Sequence, residues 1–110
     1  MEKLNLFIKT VNDNNFIEGH EVLEDTWKEW KKIETLKEES LILKGLINGS
    51  TALALKVKNR DDGAKRVWKT FLKYSPLIEQ IDSKYKSEYK KAEKLLYEKA
   101  VSLKLTHIVK

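Results

Sequence analysis

His20 and Glu24, a histidine and a glutamate four residues apart, are the pair in this sequence whose types and spacing are best suited to chemistry. On a helix, that spacing puts both side chains on one face a turn apart, with Trp27 a further turn along. An imidazole and a carboxylate so placed could share one divalent cation, and the adjacent Glu21 could act as general base on a bound water. The zinc-protease helix supplies two histidines, whereas the second position here is Glu24. A full ligand shell would therefore need Asn48, Glu21 or residues of the last helix. The other histidine, His107, falls in a tail expected to fray. The competing expectation is structural: His20 and Glu24 buried as a hydrogen-bonded pair, the ring further satisfied by Asn48, Ser50 or Thr51. A stranded polar group in a small core costs about 1–3 kcal/mol, so a paired network is the reading preferred for two polar residues on an apolar seam. His20, Glu21, Glu24, Trp27 and Asn48 are thus the candidate polar site under either reading.

Little else in the chain resembles a reaction centre. There is no cysteine, which removes thiolate nucleophiles, disulfides and cysteine-bound zinc, and is compatible with a reducing cytoplasm. No phosphate-binding glycine loop or nucleophile elbow occurs, and the four glycines are scattered. No cofactor is expected, a divalent cation at the His-Glu helix being the one candidate, and the leaning is away from an enzyme. The charge pattern offers a different idea. From Lys84 onward the lysines outnumber the glutamates by five, which equals the formal net charge of the chain, +5. Lys86, Lys90 and Lys94 lie along one helical stripe that could follow a phosphate backbone or an acidic protein surface. The stripe contains no arginine, and Tyr85 and Tyr89 fall on the apolar seam instead of serving as stacking platforms. A solvated lysine face is preferred over nucleic-acid binding.

The elements that must position these residues are all helices. At 110 residues the chain is one domain with one core. Met1 to Val11 lacks the continuous apolar region of a signal peptide, and no run approaches a membrane span; a cytoplasmic location is expected. Leu4, Phe7, Ile8 and Val11 align on a first helix over about 2–12, followed by a polar turn. Asn15 with Glu18 forms a capping-box pattern that opens a second helix to about Ile33, with the seam Phe16, His20, Leu23, Trp27 and Trp30. Thr35 with Glu38 repeats the box before a third, central helix to about Lys58, whose Gly45, Gly49 and Ala52 leave one side flat. Asp61 or Asp62 caps a fourth helix with the inner face Ala64, Val67, Trp68, Phe71 and Leu72. Ser75-Pro76 restarts the chain into a last helical region ending near Leu103, with a break expected about Asp82-Ser83. The whole is an all-α, compact antiparallel bundle of about five helices.

With those residues placed, the stretch from Phe16 to Trp27, then Lys44-Gly45-Leu46-Ile47-Asn48 and Gly63-Ala64, resembles the small helical family known as domain of unknown function 309. The resemblance covers about residues 14–75. It rests on a His-Glu-x-x-Glu-x-x-Trp helix followed by a Gly-Leu-Ile helix, and it implies an all-helical fold without naming an activity. Many members carry a histidine late in the third helix, near the positions that Ala54 and Leu55 occupy here.

The expectation for function is accordingly a small binding or protein-interaction module with a polar His/Glu centre. A metal- or ligand-binding, hydrolytic role for His20 and Glu24 is the first alternative, and nucleic-acid binding by the lysine stripe the second. Trp27 and Trp68 are expected in the core. Trp30, near the narrow end of the bundle, and the flat Gly45-Gly49 face are the places where a partner or a second copy could pack.

Overall fold

The computed structural model describes residues 1–107, and among them there are helices and turns but no strand. The order is α1 (Glu2–Asn12), α2 (Phe16–Val22), α3 (Glu24–Trp30), a 3-10 turn (Glu34–Leu36), α4 (Lys37–Val57), α5 (Asp61–Tyr74), α6 (Leu77–Gln80) and α7 (Lys86–Ser102). The expected all-α bundle is what forms. α4 is its axis, packed by α5, α2, α3 and α7, while α1 lies against α2 and α7. None of these helices is long and apolar enough to cross a membrane.

The core follows the helical period. Leu4, Phe7 and Val11 of α1, Ile42, Leu43, Leu46 and Leu53 of α4, and Tyr89, Ala92 and Leu96 of α7 are shut off from solvent. Trp68, Phe71 and Tyr97 form an aromatic cluster with ring centroids 4.6–5.6 Å apart, tilted or edge-on. The glycines of α4 make the cluster fit. A Cβ on Gly45 would stand 3.1 Å from Tyr74 Cβ, and one on Gly49 would stand 2.8 Å from Leu96 Cδ1 and 3.3 Å from the Phe71 ring. The flat face therefore receives α5 and α7 of its own chain, which removes it as a surface for a second copy.

Several expected boundaries shift, each for a local reason. The second helix is broken at Leu23 and ends at Trp30, not Ile33. Glu24 and Asp25 occupy the first turn of the restarted helix, where the helix dipole favours acidic side chains. Asn15 is at the N-cap position without a side-chain cap, and its backbone N–H donates to the Thr10 carbonyl at 3.0 Å, which takes the donor that Glu18 would reach back to in a capping box. That bond, with Asn14 N–H to Val11 O at 2.9 Å, is a Schellman closure of α1, and Asn14 takes the left-handed conformation at φ 65°. Asn59 and Lys104 close α4 and α7 the same way, so none of the four glycines is needed at a helix end.

Thr35 likewise does not cap. It lies inside the 3-10 turn, and α4 begins at Lys37 from an upstream segment that is already helical. At α5 the N-cap is Arg60, and Asp61 instead meets Lys56 at 3.1 Å. Ser75 and Pro76 both keep right-handed helical backbone, so the proline ends α5 through its missing N–H and restarts only the four-residue α6. The expected break follows before α7. Leu72 is 41% exposed, not inner, because its neighbour Phe71 takes the core-facing position.

Candidate functional site

The surface around His20 is built where α2 crosses the C-terminal half of α4. Gly19 is the crossing point: a Cβ there would lie 2.7 Å from Ser50 Oγ and 3.0 Å from Val11 Cγ2. Ser50 is fully buried, and its hydroxyl donates to the Phe16 carbonyl at 2.6 Å, tying the two helices together beneath the site. The residue beside Gly19 consequently emerges at the edge of the junction. His20 is half-buried, in the last turn of α2, with Nδ1 3.3 Å from the Ile17 carbonyl and Nε2 4.0 Å from Glu24 Oε2.

The expected buried His-Glu network is therefore not what forms. The side chains of His20 and Glu24 are each 36% exposed, and Glu24 is also 3.6 Å from Lys28 Nζ. The hydroxyls and amide that were to satisfy the ring serve α4 or the helix crossing instead. Asn48 Nδ2 donates to Lys44 O, Thr51 Oγ1 to Ile47 O, and Ser50 to Phe16 O. The inward positions of α2 are the physical reason: Phe16, Gly19 and Leu23 face the core, so His20, next to Gly19, stands about 100° off that line at the edge of the junction.

Two hollows line this junction. One, of about 390 Å³, is bounded by Asn14 to Glu18, Glu21, Ala54, Val57 and Lys58. The other, of about 190 Å³, is bounded by Ile17, His20, Thr51, Ala54, Leu55 and Lys58. They share Ile17, Ala54 and Lys58, so Ile17 stands as a ridge in a single groove. Ile17 is 51% and Val57 56% exposed, the two most exposed large hydrophobic residues among those described. Positions 54 and 55 face the same hollow as His20, and in this chain they are apolar. Among the described residues, no three histidine, aspartate or glutamate side chains converge on a point that could hold a metal ion.

The remaining candidates disperse. Glu21 borders the first hollow, which Glu24 does not line. Trp27 is half-buried, not in the core, with Lys31 Nζ 4.3 Å from its ring centroid, and it borders a separate hollow with Leu41 and Lys44. Trp68 is in the core as expected. Trp30 is half-buried and stacked on Tyr85, with centroids 6.3 Å apart and planes 21° from parallel. In the lysine stripe, Lys90 Nζ lies 2.8 Å and Lys86 Nζ 3.9 Å from the Glu79 carboxylate, whereas Lys94 is exposed on α7. His107 is exposed at the end of the described residues.

A polar cluster that sequence reasoning missed joins α4 to the segment before α7. Glu39 Oε2 accepts from the Tyr89 hydroxyl at 2.6 Å and from the Ser83 hydroxyl at 2.8 Å, and Ser83 Oγ accepts from Tyr85 N–H at 3.1 Å. Burial, and then the hydrogen bond to Glu39, hold the Tyr89 phenol well above its usual pKa. The available signal was Tyr89 itself, a phenol on the inward seam that needs a partner.

The modest role of the His-Glu pair has a direct consequence. His20→Ala is expected to change the unfolding free energy by no more than about 0.5 kcal/mol, as for an exposed i,i+4 pair. Urea unfolding followed by circular dichroism checks this; a loss of about 2 kcal/mol would restore the buried-network reading.

The model of the family described as Domain of unknown function (DUF309) matches residues 4–67. It takes in α1 as well as the His-Glu helix and α4, and it reaches into α5. Comparison with curated proteins and with solved structures gave no match.

Proposed function

The chain belongs to the domain of unknown function 309 family, and we propose that in this member the domain is a protein-interaction module whose α2–α4 groove packs against the same groove of a second copy. The observation that carries this is the exposure of Ile17 and Val57 on one groove, over Ala54 and beside His20. Two large aliphatic side chains more than half exposed on one concavity offer area that association removes from water. The rim argues for the occupant. Its α2 edge carries Glu18 and Glu21 and its α4 edge carries Lys58. A twofold axis through the groove sets each acidic edge against the partner's basic edge and lets each Ile17 enter the other's hollow, the reciprocity an isologous interface requires. His20 supplies a polar contact at one end.

The His20–Glu24 pair gives less support to a metal-dependent or hydrolytic role. It offers one nitrogen and one carboxylate, and the adjoining wall is Ala54 and Leu55. Sedimentation equilibrium tests the proposal. The wild-type chain is expected to dimerise reversibly, and Ile17→Asp to be monomeric, with the thermal midpoint that the wild type shows when diluted below its dimer Kd. Lys58→Glu is expected to weaken the dimer and to pair preferentially with a Glu18→Lys, Glu21→Lys chain. A wild-type chain still monomeric at about 1 mM, where an association of about 4 kcal/mol would register, overturns it. So does a dimer indifferent to Ile17→Asp.

A further inference from the structure

At the opposite end of the bundle from the groove, the Glu39 cluster opens into a hollow of about 370 Å³, within the size range of small-molecule sites. Trp30 and Tyr85 wall it with nearly parallel rings, and Tyr89 stands edge-on to Tyr85 with centroids 6.3 Å apart. Glu39 and Asp82 contribute carboxylates to its lining, and Lys84 is the one basic residue there. The hollow thus carries an acidic surplus in a chain whose net charge is +5.

We propose that this hollow binds an organic cation of the trimethylammonium class. Three features select that chemistry. Glu39 is half-buried and hydrogen-bonded to two hydroxyls, yet among the described residues it forms no ion pair, so its charge has no cationic partner. The ring of Tyr85 already attracts a cation: Lys84 Nζ lies 5.2 Å from its centroid. The wall itself is the third feature: Trp30 and Tyr85 offer aromatic area, which suits a ligand that brings charge and apolar surface together. A methylated ammonium does so, and it gives up hydration more readily than a primary ammonium. Such a ligand displaces Lys84 from the Tyr85 ring and sets its methyl groups against the aromatic wall, with Glu39 and Asp82 in Coulombic range.

The test is titration of the ¹⁵N-labelled protein with choline chloride, followed at the Trp30 indole N–H resonance. Its neutral isostere 3,3-dimethylbutan-1-ol is run in parallel, with sodium chloride balancing ionic strength. Choline is expected to give a saturable shift confined to Trp30 and the residues about Ser83–Tyr85, and the alcohol none. Lys84→Ala is expected to tighten choline about two- to fivefold, the worth of an exposed cation–π contact. Asp82→Asn, at an exposed position, is expected to weaken it with the fold intact. Equal shifts from choline and the alcohol would show a merely apolar hollow, and no saturable shift from choline would show no site; either result overturns the proposal. Because the hollow lies away from the α2–α4 groove, neither result bears on dimerisation.

Discussion

Phe71→Ala is expected to remove about 3–5 kcal/mol of stability, the usual cost of deleting a fully buried aromatic ring. Phe71 is 0% exposed, its ring centroid is 4.6 Å from that of Trp68 and 5.4 Å from that of Tyr97, and its other side fills the space left by Gly49. The glycine aggravates the loss. A side chain at 49 could relax into the void, whereas a bare helix backbone cannot, so the cavity stays open between α4, α5 and α7. Domains of this size are stable by about 5–15 kcal/mol in total, so the variant should be largely unfolded in modest urea. Phe71→Leu should retain more than half of the lost stability. Chemical denaturation of the three proteins, with equal m-values, measures this; a loss below about 1 kcal/mol for Phe71→Ala would mean that the aromatic cluster is not the centre of the core.

The parts of the fold legible in the sequence were those where local pattern and tertiary burial ask for the same thing. Leu4, Phe7 and Val11 repeat every three or four residues and are all buried, as are Tyr89, Ala92 and Leu96. Capping was less legible, because a side-chain cap competes with backbone closures that the sequence does not announce. Asn15 and Glu18 have the right identities for a capping box, but the left-handed turn at Asn14 gives the Asn15 backbone N–H to the Thr10 carbonyl, so the Glu18 half has no donor left. Gly45 and Gly49 correctly signalled a close approach. What approaches, α5 and α7, depends on residues far along the chain.

The site was half legible for a related reason. His20 does stand within reach of Glu24, as the spacing required, but the pair is left at the edge because Gly19, not His20, takes the inward position where α2 meets Ser50 of α4. The groove left a trace that went unread. Phe16 and Ile17 are adjacent, and on a helix neighbours point about 100° apart, so on a peripheral helix, unlike the central α4, the two do not share the one buried face. Phe16 takes that face, and Ile17 is left in the groove with Val57. Glu39, Ser83 and Tyr89 come together across 44 and 50 residues, a separation over which local pattern carries no information.

Gly19→Ala is the substitution that most directly tests how the His-bearing helix is seated. In an exposed helix the change would stabilise by about 1 kcal/mol. Here the new methyl group would lie 2.7 Å from Ser50 Oγ and 3.0 Å from Val11 Cγ2. Ser50 cannot simply turn aside, because its buried hydroxyl would lose the Phe16 carbonyl and be left without a partner. Overpacking of this kind costs about 1–3 kcal/mol, so a net loss is expected despite the better helix former. The decisive measurement is the double-mutant cycle with Ser50→Ala. Removing the hydroxyl deletes both the clash and the bond it would break, so the double variant should be more stable than the sum of the single effects predicts by at least about 1 kcal/mol. Additive losses would place the strain of Gly19→Ala on Val11 and α1 instead. A stabilised Gly19→Ala would mean that α2 lies farther from α4 than the Ser50 hydrogen bond requires, and the groove that Ile17 divides would then be wider and shallower than its present walls make it.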